Sequence, residues 1–116
     1  MTVEKCYEVM KGDYKDAVSR LVTDERIKKF LLKLLNDPSF SALNDAMEKG
    51  NAEEAFRAAH TLKGVCKNLS ITALAYSASN LTEALRGKKE KDEKAEELFK
   101  KVKKDYALTI SAIQML

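Results

Sequence analysis

The sequence contains no tryptophan, one proline and four glycines in 116 residues. So little proline and glycine excludes collagen-like repeats, and a hydrophobic content of 45% argues against a disordered chain. No window approaches the roughly 18 apolar residues that a membrane-spanning helix requires. The first residues, MTVEKCYEVMKGD, contain no apolar segment of the kind found in secretion signals. We therefore expect a soluble helical domain with no membrane association of its own.

The sequence also lacks a strong excess of charge of either sign. Its 21 basic and 18 acidic residues are mostly interleaved and give a net charge of +3. We therefore predict no basic surface for nucleic acid and no nucleic-acid partner. The lysine-rich runs KKEKDEK and KKVKK keep nucleic-acid binding open as an alternative, which a salt-dependent gel shift would test. Acidic residues interrupt the first run, and aromatic residues for base stacking are few.

Cysteine is scarce as well. Cys6 and Cys66 lie far apart and form no CxxC pair, so we expect free thiols in a reducing compartment rather than a disulfide. One histidine and two distant cysteines do not make a zinc-binding pattern. We therefore expect a cytoplasmic protein with no metal and no other cofactor of its own.

Apolar residues recur at helical spacing along nearly the whole chain. Short patterns near the N-terminus predict one or two small helices, and longer patterns follow, interrupted at Pro38, at Gly50 and at the charged run GKKEKDEK. These patterns predict an all-α fold, an antiparallel four-helix bundle with additional short N-terminal helices. We treat 1–116 as one domain, with covering helices in 1–23 and the bundle in 24–116.

One predicted helix contains the only histidine of the chain. Asn51 is followed three residues later by Glu54, a capping-box-like arrangement that predicts a helix beginning near residue 52. At about 100° per residue, His60 points away from the apolar stripe of this helix and is expected to face water. The stripe is predicted to consist of Ala55, Ala58, Leu62, Val65 and Leu69.

The neighbours of His60 suggest a chemical role rather than a merely tolerated surface residue. Lys63 and Gly64 follow at three and four residues and therefore share its face. The lysine places an ammonium group close to any anion carried on the imidazole. A glycine inside a helix is about 0.8 to 1.0 kcal/mol less favourable than alanine. We interpret Gly64 as keeping the imidazole accessible to a partner; tight helix packing is the alternative.

Three other side chains near this face are candidates for docking a partner. Phe56 lies one turn before His60, where a partly exposed aromatic ring could anchor the partner or pack against the preceding helix instead. Arg57 and Lys67 either contact the partner or are simply solvated charges.

The segment AAHTLKGVCKNL resembles the signature of histidine-containing phosphotransfer (HPt) domains, which carry phosphoryl groups in multistep two-component signalling. The resemblance implies that His60 is the phosphoacceptor and that Lys63 and Gly64 match the family's lysine and glycine. It also implies that Asn68 belongs to the usual end of this helix and to the docking surface. Many members have glycine where this chain has Ser70; a left-handed turn there would favour glycine, unless the helix ends differently.

The resemblance implies a phosphorelay carrier. His60 would accept a phosphoryl group and pass it to or from an aspartate of a response-regulator receiver domain, with a hybrid histidine kinase as another partner. The receiver would supply an acidic pocket and a magnesium ion. The sequence contains no GxxxxGK[ST] loop, so we expect no autonomous kinase activity. The alternative is a helical interaction module that docks on signalling partners without being phosphorylated. We expect a monomer, since a closed bundle needs no second copy.

Overall fold

A computed structural model describes residues 1–116 and confirms the all-α class. Polar N-cap side chains begin five of the helices by accepting a backbone N–H, which satisfies one of the free donors of the first turn. No helix combines the length and the apolar character that crossing a bilayer would take. The seven helices are α1 (Val3–Val9), α2 (Tyr14–Leu21), α3 (Asp24–Leu34), α4 (Ser39–Lys49), α5 (Ala52–Asn68), α6 (Thr72–Leu85) and α7 (Glu93–Gln114).

Helices α4 to α7 form the predicted antiparallel bundle. Each packs against the next in sequence, and the short connections make consecutive helices antiparallel neighbours. Aromatic stacking joins the first and last of them: the ring of Phe40 on α4 lies 3.9 Å from Tyr106 and 6.2 Å from Phe99, both on α7, between centroids. The four helices therefore enclose a common apolar interior.

Helices α1 to α3 cover the end of the bundle at which α5 passes into α6. The hydroxyl of Tyr7 donates to the carbonyl of Leu69 at 2.6 Å, and the N–H of Asp13 donates to the carbonyl of Ser70 at 2.9 Å. Helix α3 contacts α1 and α2 as well as α7, and one apolar core includes residues of all seven helices. The division at residue 24 therefore stays a prediction, because packing does not separate α3 from either group.

The two cysteines are buried free thiols, which confirms that they do not pair with each other. Cys66 lies on the inner side of α5, and burial raises the pKa of its thiol to about 12. The thiolate, which is the reactive form, is therefore scarce near neutral pH.

Helix α5 ends in a left-handed turn at Ser70, whose φ is +57°. The N–H of Ile71 donates to the carbonyl of Cys66, and the N–H of Ser70 donates to that of Lys67, which is the Schellman pattern. Ser70 therefore adopts the left-handed conformation for which glycine is favoured. Its hydroxyl donates to Oδ2 of Asp16 on α2 at 2.5 Å, a contact that glycine could not make.

Replacing Ser70 by alanine is expected to destabilise the protein by about 1.5 kcal/mol, since the hydrogen bond to a charged acceptor is lost. Replacing it by glycine loses the same bond but relieves a left-handed backbone that costs other residues roughly 1 to 2 kcal/mol, so the two effects nearly cancel. Urea unfolding of the wild type and both variants measures these differences. An alanine variant as stable as the wild type would show that the bond to Asp16 contributes nothing.

Candidate functional site

His60 lies at the middle of the 17-residue helix α5, Ala52–Asn68. The left-handed cap at Gly50 ends α4, and the side chain of Asn51 accepts the N–H of Glu54 at 3.1 Å. These two features start α5 at Ala52, as predicted. The side chain of His60 is exposed. The only imidazole of the chain is thus presented to solvent from a rigid element.

The buried side of α5 is turned relative to the predicted stripe. Ala59 and Cys66 are fully buried, whereas Ala58 and Val65, which we expected inside, are only half-buried. The prediction was wrong at these two positions because α5 packs between two neighbours, α4 and α6. Ala58 borders a hollow beside α4, and Val65 borders one beside α3. His60 still lies opposite the buried side.

Open space lies beside the imidazole at Gly64. A Cβ built on this residue would meet no atom within 4 Å. Tight helix packing is therefore excluded as the reason for the glycine. Lys63, which precedes it, is half-buried.

The structure adds Glu83, in the last turn of α6, and Arg86, directly after its end, which the sequence analysis did not identify. Arg86 lies over the ring of Phe56 at 5.0 Å from its centroid, and that ring lies 6.1 Å from the imidazole of His60. Glu83 accepts two hydrogen bonds from Arg86, at 2.9 and 3.1 Å. Counting outward from the short turn after α5 would have placed these residues about as far from the turn as Phe56, one turn before His60.

Charges on α5 and directly after the end of α6 act on Glu83. Arg86 lowers the pKa of the Glu83 carboxyl most strongly, through its hydrogen bonds and its positive charge. Lys63 and His60 add smaller effects in the same direction. The carboxylate of Glu83 is therefore within electrostatic range of the two α5 residues with predicted chemical roles.

The predicted docking residues do not share one surface. Lys67 borders a cavity of about 310 Å³ between α2 and α6, together with Tyr76, whose side chain is 70% exposed. Arg57 borders the hollow beside α4 and pairs with Glu53, and Asn68 borders the hollow beside α3. Lys67 thus lies toward α6, whereas Arg57 and Asn68 lie on the other side of the face that His60 occupies.

Comparison with known proteins supplies the family. The family model of the Hpt domain matches residues 33–113, which include all of α4, α5 and α6 and nearly all of α7. Neither the curated proteins nor the solved structures gave a significant match. Hpt domains are phosphocarriers of phosphorelay systems rather than enzymes. Because the match covers well over half of the sequence and the helical bundle agrees with it, the chain belongs to the Hpt domain family.

Proposed function

We propose that this protein is a phosphorelay carrier that accepts a phosphoryl group on His60 and exchanges it with the aspartate of a response-regulator receiver domain. One observation carries the proposal: within an Hpt domain, the only histidine is exposed at mid-helix, next to open space at Gly64. A donor can approach such an imidazole without rearrangement of the bundle.

The chemistry requires little of the carrier. A ring nitrogen of neutral imidazole attacks the phosphorus of the receiver's aspartyl phosphate. The N–P bond forms while the P–O bond to the aspartate breaks, and the electron pair of that bond returns to the carboxylate. The other ring nitrogen keeps its proton, so the phosphorylated ring is cationic until it loses that proton to solvent. The reverse sequence returns the phosphoryl group to an aspartate.

Positioning and charge neutralisation dominate phosphoryl transfer. We assign neutralisation on the carrier to Lys63, whose ammonium group follows His60 by one turn, and access to Gly64. The magnesium ion that neutralises the transferring group is expected on the receiver, so the carrier needs no cofactor. Phe56 and Lys67 are proposed to contact the receiver on the α6 side, and Arg57 and Asn68 on the opposite side.

The carrier is further proposed to lack kinase activity, to act in the cytoplasm and to function as a monomer. The sequence has no glycine-rich phosphate loop of the Walker type, which supports the first point. The free thiols of Cys6 and Cys66 support a reducing compartment. A hybrid histidine kinase, whose receiver domain carries the same aspartyl chemistry, is the proposed second partner.

The proposal is tested by incubating the protein with a panel of purified, radiolabelled phospho-receivers and mapping the label to a residue. We expect an acid-labile, alkali-stable adduct on His60. Label on another residue, or no label from any receiver, would contradict the proposal. A receiver that binds the protein without transferring label would favour the alternative of an interaction module.

A further inference from the structure

A chain of contacts links α6 to the imidazole of His60. Two hydrogen bonds join Glu83 to Arg86, and the guanidinium of Arg86 lies over the ring of Phe56. The centroid of that ring lies 6.1 Å from the centroid of the imidazole, with the two planes tilted by 39°. The guanidinium of Arg86 is thus already engaged by a carboxylate. An anion that arrives on His60 meets a paired arginine rather than a free one.

Glu83 also acts through its own negative charge, in addition to its pairing with Arg86. Lys63 and His60 both favour the ionised form of Glu83, which shows that the three groups interact electrostatically. A carboxylate within that electrostatic range repels negative charge placed on His60. A phosphoryl group brings about two negative charges to that position. Lys88, Asp92 and Lys94 border the same hollow as Glu83, and Lys88 there pairs with Asp92 at 3.3 Å.

We propose that Glu83 is a positioning residue of the phosphoacceptor site, one that engages Arg86, opposes negative charge on His60 and thereby shifts the phosphoryl group toward the receiver aspartate. The inference rests on the proposed function, and it adds a residue outside α5 that sets the direction of transfer. Both actions of Glu83 have the same sign, because each lowers the stability of phosphohistidine relative to free imidazole.

The two partners of the ion pair therefore have opposite expected effects. Glu83→Gln removes the negative charge and releases Arg86, so it should stabilise phosphohistidine. Arg86→Gln leaves Glu83 ionised and unpaired, so it should destabilise phosphohistidine. A purely structural ion pair would behave differently, since losing either partner would affect the helix in the same way.

The experiment measures the equilibrium constant for exchange between the carrier and one receiver that phosphorylates it, for the wild type, Glu83→Gln and Arg86→Gln. The equilibrium constant depends only on the free energies of the separate carrier and receiver, each with and without the phosphoryl group. A change in docking therefore alters the rate of exchange and leaves the equilibrium constant unchanged. We expect Glu83→Gln to shift the equilibrium toward the carrier by about threefold to tenfold, and Arg86→Gln to shift it toward the receiver. The shifts should shrink in 1 M salt.

Matched controls are available on α7, where Glu97 and Lys100 form an exposed ion pair at the same spacing of three residues. Glu97→Gln and Lys100→Gln change the net charge identically and should leave the equilibrium constant unchanged. Equal constants for all variants, or shifts of the same sign for Glu83→Gln and Arg86→Gln, would overturn the inference while leaving the carrier function intact. Absence of any adduct on His60 in the wild type would overturn both.

Discussion

Replacing His60 by glutamine is expected to reduce phosphoryl incorporation to background without changing the fold. Glutamine has a similar size and polarity, but its amide nitrogen is not a nucleophile. The chain contains no second histidine that could substitute. The side chain is exposed, so the free energy of unfolding should change by no more than about 0.5 kcal/mol. Label transfer from phospho-receivers measures the first effect, and urea unfolding measures the second.

The glutamine variant also separates the two candidate functions. Unchanged signalling by this variant in a reconstituted pathway would favour an interaction module that is never phosphorylated. A labelled adduct that persists in it would remove the assignment of His60. Unchanged binding to the receiver together with lost transfer is the result that a carrier predicts.

Replacing Gly64 by glutamine is expected to slow transfer from a receiver by about a hundredfold or more while stabilising the helix. The new side chain would occupy the open space next to His60, and small misplacements of reacting groups have effects of this size. Glutamine is also a better helix former than glycine, so the free energy of unfolding should rise by about 0.5 kcal/mol. Single-turnover kinetics and urea unfolding would measure the two effects.

Two controls identify the cause of the slower transfer. Phosphoramidate, a small phosphoryl donor with a P–N bond, should still label His60 in the glutamine variant, because it needs far less space than a receiver domain. Gly64→Ala should stabilise the helix by up to about 1 kcal/mol and slow transfer much less. If the glutamine variant accepted label from a receiver at the wild-type rate, Gly64 would have no role in access.

The helices were predictable because each carries its signals in its own segment. Asn51 and Glu54 mark the start of α5, and Gly50 ends α4 with a φ of +72°. The apolar spacing predicted the all-α class and the exposed position of His60. Ala58 and Val65 were predicted wrongly as buried, because a helical wheel finds the apolar side of a helix but does not say how closely each neighbour approaches it.

The site was predictable only where it lies on a single helix. Lys63 and Gly64 follow His60 at helical spacing, so local geometry is enough to group them. Glu83 and Arg86 are more than twenty residues away, and no local pattern connects them to the imidazole. The sequence alone also did not explain why serine is accommodated at position 70, because Asp16, which accepts the hydrogen bond of the Ser70 hydroxyl, belongs to α2.

By itself, the sequence determined which segments are helical, where α5 begins, and that the only histidine faces water with a lysine and a glycine beside it. These features depend on interactions between residues at most a few turns apart. Only the tertiary structure decided that α6 brings Glu83 and Arg86 to the side of Phe56 and His60, and that α2 holds the end of α5 through Ser70. Such contacts depend on how separate helices pack, which is set by the whole apolar core rather than by any one segment.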